Sequence, residues 1–295
     1  MTVMTKFSMA LRAALAAALV AAAASCSVKE DRSDAPVWMR VDRSHITGSY
    51  GGPFVFSEFK DGELFFRDWF KSVKEFLSQR YMPLPQGLLD VSGIGGIDGM
   101  YFDRDSLLLI PEGGQADALY AFESTVNAYG DLCALEATFH KEYSKVTLDM
   151  MASGDPYPYG IRIRSNVCGI NARTLKPVEG ENVFSPAQRE PGLYVFNLLR
   201  QFPADDSVSP TRSGLKIEVW GDEGLLLGDP TQPAASTGYA LLDVIDLGAI
   251  LHDNGIVTWL EEDLPDIEVR LDYARLKIYI KVEDWVVVDL GEIEV

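Results

Sequence analysis

Apolar and polar residues alternate with a period of two along most of the chain, the pattern of strands that bury one face. Val37, Met39 and Val41 alternate with Trp38, Arg40 and Asp42. Phe54-Val55-Phe56 and Glu63-Leu64-Phe65-Phe66 flank Asp61-Gly62, a dipeptide that favours a tight hairpin turn. The following stretch, 67–80, is ambiguous. Phe66, Trp69, Phe70, Val73, Phe76, Leu77 and Tyr81 fall at helical spacing, so either the hairpin strand runs on or an amphipathic helix takes over.

A fresh alternating series begins near Gly130-Asp131, with Leu135, Ala137 and Phe139 leading to His140, then Val146, Leu148 and Met150. Ile161 and Ile163 alternate with Arg162 and Arg164, and Ile217 and Val219 with Lys216, Glu218 and Trp220. Leu247 to Gly255 suits a short helix ending at Asn254-Gly255. The end of the chain is a predicted meander. Ile267, Val269, Leu271 and Tyr273 form one strand, Leu276, Ile278, Ile280 and Val282 the next, and Trp285 to Val288 and Ile293 to Val295 follow. Many short strands without alternating helices predict an all-β protein of packed sandwiches rather than a parallel sheet. The length of 295 residues favours two domains, at 35–130 and 131–295.

The first 25 residues break this pattern. Lys6 and Arg12 precede an apolar stretch from Ala13 to Ala24, the form of a secretory signal and too short to cross a bilayer as a helix. The signal ends at Ala23-Ala24-Ser25-Cys26, which places a thiol where a lipoprotein receives its lipid; cleavage at an Ala-x-Ala site, releasing an unlipidated protein, is the alternative. With several acyl chains on Cys26 the protein would be stably held to a membrane. Residues 27–34 then read as a polar tether, and Lys29-Glu30-Asp31 suits either display outside the outer membrane or a plain hydrophilic spacer.

The formal charge of −18 becomes −20 once Lys6 and Arg12 are removed with the signal. Such a surface repels phosphate backbones and argues against a nucleic-acid partner. His45, His140 and His252 lie far apart, and neither paired-ligand spacing nor a nucleophile elbow or phosphate loop occurs. The glycines of Gly93-Ile94-Gly95-Gly96-Ile97-Asp98-Gly99 are followed by strand and turn rather than a helix, so they read as turns and not as a dinucleotide site. Glu261-Glu262-Asp263 and Asp103 with Asp105 do not follow calcium-loop spacing. No catalytic residue, metal site or cofactor is predicted. Cys133 and Cys168 could pair outside the cytoplasm or remain buried thiols. Pro156-Tyr157-Pro158-Tyr159 predicts a loop that could present its tyrosines to a glycan.

Several segments, taken in order, resemble the fimbrillin-like lipoproteins of Bacteroidia, specifically the branch that anchors short fimbriae to the outer membrane. They are 26–38, Asp117 to Phe122, His140-Lys141, Asn166 to Asn171, Leu199 to Gln201, and the ending from Leu264 through Ala274 to Trp285. The sequence departs from the family at Ala35-Pro36-Val37, where Cys-Pro-Cys is common. The resemblance implies two tandem transthyretin-like β-sandwiches with a few short helices. It also implies attachment to the outer membrane through Cys26, and fimbrial shaft subunits as partners joined by donor-strand addition. The terminal segment carrying Val286, Val288, Leu290, Ile293 and Val295 is the candidate donor strand, the alternative being that it is only the last strand of its own sheet. The competing expectations are an accessory or tip subunit, a surface glycan-binding lipoprotein and an enzyme of unrecognised type; a host ligand of unknown identity is a further candidate partner.

Overall fold

A computed structural model describes residues 35–46, 48, 50–104, 106–158, 160–202, 214–222, 239–255, 259–272, 277–282 and 285–292. In the first half the strands are β1 (Val37–Asp42), β2 (Phe54–Lys60) and β3 (Glu63–Phe70), then helix α1 (Val73–Ser78). They continue with β4 (Met82–Leu84), β5 (Gly87–Gly95), β6 (Tyr101–Phe102), β7 (Leu107–Leu109), β8 (Tyr120–Ala128), β9 (Leu132–Glu136) and β10 (His140–Lys141). The second half holds β11 (Tyr143–Ala152), β12 (Asp155–Pro156), β13 (Ile161–Asn171), β14 (Pro177–Phe184), β15 (Gln188–Glu190), β16 (Leu193–Leu199) and β17 (Lys216–Asp222). It ends with β18 (Tyr239–Ile245), helix α2 (Leu247–Asp253), β19 (Ile267–Asp272), β20 (Lys277–Val282) and β21 (Trp285–Glu292). The chain is all-β, as the alternation predicts.

These strands make four sheets. A three-stranded sheet, β4-β1-β9, packs on a five-stranded one, β10-β8-β5-β2-β3. Their common core includes Val37, Met39, Phe54, Phe56, Phe76 and Phe122. In the second half, β15-β16-β11-β19-β20-β21 packs on β18-β17-β13-β7-β6 around Val146, Leu148, Tyr157, Ile163, Phe196 and Val269. A third cluster joins the two sandwiches, because Val55, Phe59 and Ile94 meet Leu108, Val167 and Ile170. The long strand β13 serves both interfaces. Its start packs in the second core and its end in the joint, with bulges between Ser165 and Gly169 re-aiming its side chains.

Pairing does not respect the point near Gly130 where the alternation restarts. β6 and β7 belong to a sheet of the second half, whereas β9 pairs with β1 and β10 with β8. Period and turn chemistry mark strands, but which sheet a strand joins depends on long-range contacts they do not record. Two pairings, β1 with β9 and β11 with β19, are parallel; both bring together segments far apart in sequence.

Local rules account for much of the rest. Asp61 and Gly62 both have positive φ, as a two-residue hairpin turn requires. The ambiguous stretch resolves into both readings in succession: β3 runs to Phe70, Ser72 then caps α1 by accepting from the Glu75 N–H, and the helix lasts six residues. Asp246 caps α2 in the same way, and that helix ends at Asn254-Gly255. The glycine-rich run is strand β5 and its turn. A Cβ at Gly93 would run into the Phe122 and Phe54 rings, and the Asp117 carboxylate accepts from the N–H groups of Asp98, Gly99 and Met100. Packing and a turn explain these glycines.

Candidate functional site

The residues predicted for attachment and strand donation fall in different places. Cys26, Ile293 and Val295 lie outside the described residues. Val286, Val288 and Leu290 are in β21, which pairs antiparallel with β20 and forms one edge of its sheet. The tyrosine platform is corrected by the structure. Tyr157 is fully buried in the second core, where its hydroxyl donates to the Trp220 carbonyl at 2.9 Å, and Tyr159 lies outside the described residues. Pro156 is in the short strand β12, paired with β11, rather than in a loop, and an aromatic ring just beyond a strand can still fold inward.

A second edge, one the alternation did not single out, belongs to the first sandwich. β3 is the last strand of the five-stranded sheet, and Leu64, Phe65, Phe66 and Trp69 on it are all exposed. Glu58 pairs with Phe66 while Phe59 pairs with Leu64, so Phe65 is the extra residue of a bulge. That bulge lets the adjacent Phe65 and Phe66 both line one opening. Across the opening stands β4, the edge of the three-stranded sheet, three residues long and carrying Pro83. A short edge with proline resists further pairing, whereas β3 has eight residues and no proline.

The opening is a cavity of about 500 Å³ whose walls include Pro36, Phe65, Phe66, Phe70, Tyr81 and Pro83. Glu58 and Asp68 are its acidic residues, and its walls hold no lysine or arginine. Glu58 follows Phe54 and Phe56 on the inward face of β2. It is 2 % exposed, and its Oε1 has no hydrogen-bond partner. Burial pushes its carboxyl up to about 7, and the nearby Asp68 carboxylate adds to the shift. On the opposite face, Arg67 donates through Nε to Ser57 Oγ at 3.2 Å and lies over the Phe102 ring at 3.8 Å. The guanidinium therefore points away from Glu58.

A larger hollow, about 860 Å³, lies between the sandwiches, with His140, Glu142, Arg200 and Glu261 in its wall. Its charges are largely used in holding the fold. Arg200 bridges to Glu142 at 2.8 Å and donates to the carbonyls of Trp259, Glu261 and Glu262, while the Lys141 N–H donates to Asp263. Among the described residues no three His, Cys, Asp or Glu side chains converge as metal ligands. Cys133 and Cys168 are free thiols, and burial raises the pKa of each, which suppresses the reactive thiolate.

The molecule is thus an all-β protein of two joined sandwiches, with β3 and β21 at sheet edges. Solved structures of low sequence identity share this fold. A candidate polysaccharide-binding protein from Bacteroides thetaiotaomicron matches with a TM-score of 0.56 at 14% identity, over 87% of this chain and 98% of its own. The fimbrial anchor protein Mfa2 from Porphyromonas gingivalis matches with a TM-score of 0.54 at 13% identity, over 86% of this chain and 98% of its own. A candidate adhesin from Bacteroides ovatus matches with a TM-score of 0.51 at 14% identity, over 91% of this chain and 99% of its own. No family profile matches the sequence, and neither does any curated protein. At these identities the likeness is one of fold.

Proposed function

We propose that this chain is the membrane-tethered base subunit of a fimbrium. Lipid on Cys26 holds it to the outer membrane, the charged segment 27–34 spaces the body from the bilayer, and a shaft subunit joins by strand addition at the C-terminal edge. The observation that carries this reading is the fold shared with a fimbrial anchor over nearly the whole of both chains. The lipoprotein signal and the segment-by-segment resemblance of the sequence support it independently. Val286, Val288 and Leu290, with Ile293 and Val295 beyond, are the apolar residues that would engage the shaft.

The test is made in the source bacterium. Cys26→Ala, with export confirmed, is expected to move intact fimbriae from the washed cells into the medium. Fimbriae that stay on the cells while this protein alone becomes soluble would overturn the anchoring role. Deletion of residues 289–295 is expected to detach the shaft from a folded, cell-bound subunit. Unchanged attachment would remove the terminal strand from the contact and leave the tether reading standing.

A further inference from the structure

The cavity between β3 and β4 has a composition that the base-subunit reading does not use. Of its two acidic residues, Glu58 is a nearly inaccessible carboxylate without a hydrogen bond to Oε1; its rim is aromatic, and Arg80, 5.5 Å over the Tyr81 ring, is not part of the wall. A buried carboxylate normally has a charged or hydrogen-bonded partner, because leaving it unpaired costs desolvation without return. We propose that this cavity receives a lysine or arginine side chain carried on an extended strand of a second polypeptide, which pairs with the free edge of β3 and places its cation on Glu58.

Each part of the site fits that occupant. The free edge offers backbone groups for a ladder, exposed Phe65, Phe66 and Tyr81 cover the aliphatic stem of the incoming side chain and face its charge, and Glu58 with Asp68 supplies the counter-charge. A second copy of this chain docking through its last strand does not fit. From Trp285 onward the sequence carries Asp289, Glu292 and Glu294 and no basic residue, so it would bring carboxylates onto Glu58. The partner is a different polypeptide. Pro36 lines the cavity, so the site lies beside the start of the described chain. Its position at the tethered end rests on the base-subunit reading, whereas the pocket chemistry does not.

The test uses the full chain from residue 26 with Cys26→Ser, titrated with a short capped peptide alternating valine and threonine around one central lysine. The same peptide with norleucine replacing lysine is the reference. The lysine peptide is expected to bind at least about tenfold more tightly, the worth of a charge-assisted contact, and Glu58→Gln to abolish the difference. Phe65→Ala, at an exposed position, is expected to weaken both peptides. Glu58 faces Asp68 from β3 and no described histidine, so the preference for lysine should grow as pH rises through about 7. Equal binding of the two peptides would overturn the cation role. Tight binding of free butylammonium with no preference for the peptide would overturn the strand as occupant. Binding of neither peptide would remove the site altogether. None of these outcomes bears on fimbrial shedding from Cys26→Ala cells, so the two readings fail separately.

Discussion

β2 and β3 are the two arms of one hairpin and are almost equally apolar, yet every residue from Phe54 to Phe59 is buried while Leu64, Phe65, Phe66 and Trp69 are exposed. β2 has a strand on either side and a core on either face: Phe54 and Phe56 pack among the first sandwich, and Val55 and Phe59 pack in the joint to the second. β3 lies where both covers run out. The facing sheet offers three-residue β4, and from the second sandwich's sheet Phe102 of β6 meets Trp69 and Arg67. Burial is thus conferred by what the rest of the chain lays over a strand, and the uncovered arm marks where another molecule can do the same.

The comparison can be broken most forcefully on the covered arm. Phe56→Ala removes a fully buried ring stacked on Phe76 and is expected to cost about 3–5 kcal/mol in urea unfolding. An effect below about 1 kcal/mol would show that the core at β2 is loosely packed.

At the point where the covered arm meets the open cavity, pH is the probe. The unfolded Glu58 carboxyl titrates at 4.5 and the folded one at about 7, so the folded chain holds the extra proton between them. Its stability is undiminished below the lower value, falls as pH rises through this window, and levels off above it, a loss of about 3 kcal/mol. Glu58→Gln should therefore be more stable than the parent by about that amount near pH 8 and equal to it near pH 4. Parallel stability curves for the two proteins would show that Glu58 is solvated.

Smaller effects sharpen the contrast on the hairpin itself. Ser57→Ala takes from the half-buried Arg67 guanidinium its acceptor at Nε and is expected to cost about 1–2 kcal/mol. Phe65→Ser, on the uncovered arm, should change stability in urea unfolding by less than about 0.5 kcal/mol. A large loss of stability there would mean that the bulge is structural rather than a surface for contact.

Strand identity was legible in the sequence wherever a single face is buried, as at Val37-Met39-Val41 and Ile267-Val269-Leu271, because a period of two leaves an unambiguous trace. The Asn254-Gly255 stop of α2 and the Asp61-Gly62 turn were legible for local reasons. The stretch after Phe66 was ambiguous because a strand and a short helix share its apolar residues, and only Ser72 with Glu75 marks the change. Sheet membership was not legible, since β6, β7, β9 and β10 depend on contacts made across the chain. The cavity was hidden for a different reason. Glu58 looks like the polar position of an ordinary alternation, and only the packing of Phe54 and Phe56 on the same face shows it to point inward.

The placement of β1 has a mechanical consequence. It is the first described strand and runs through the middle of its sheet, hydrogen-bonded to β4 on one side and to β9 on the other. A pull on the chain ahead of Val37, directed along the strand, loads both ladders at once in shear, so they cannot open one rung at a time as an end strand would when peeled. A tether joined there would pass tension into the body through its most resistant direction, with the rupture force set by two ladders together.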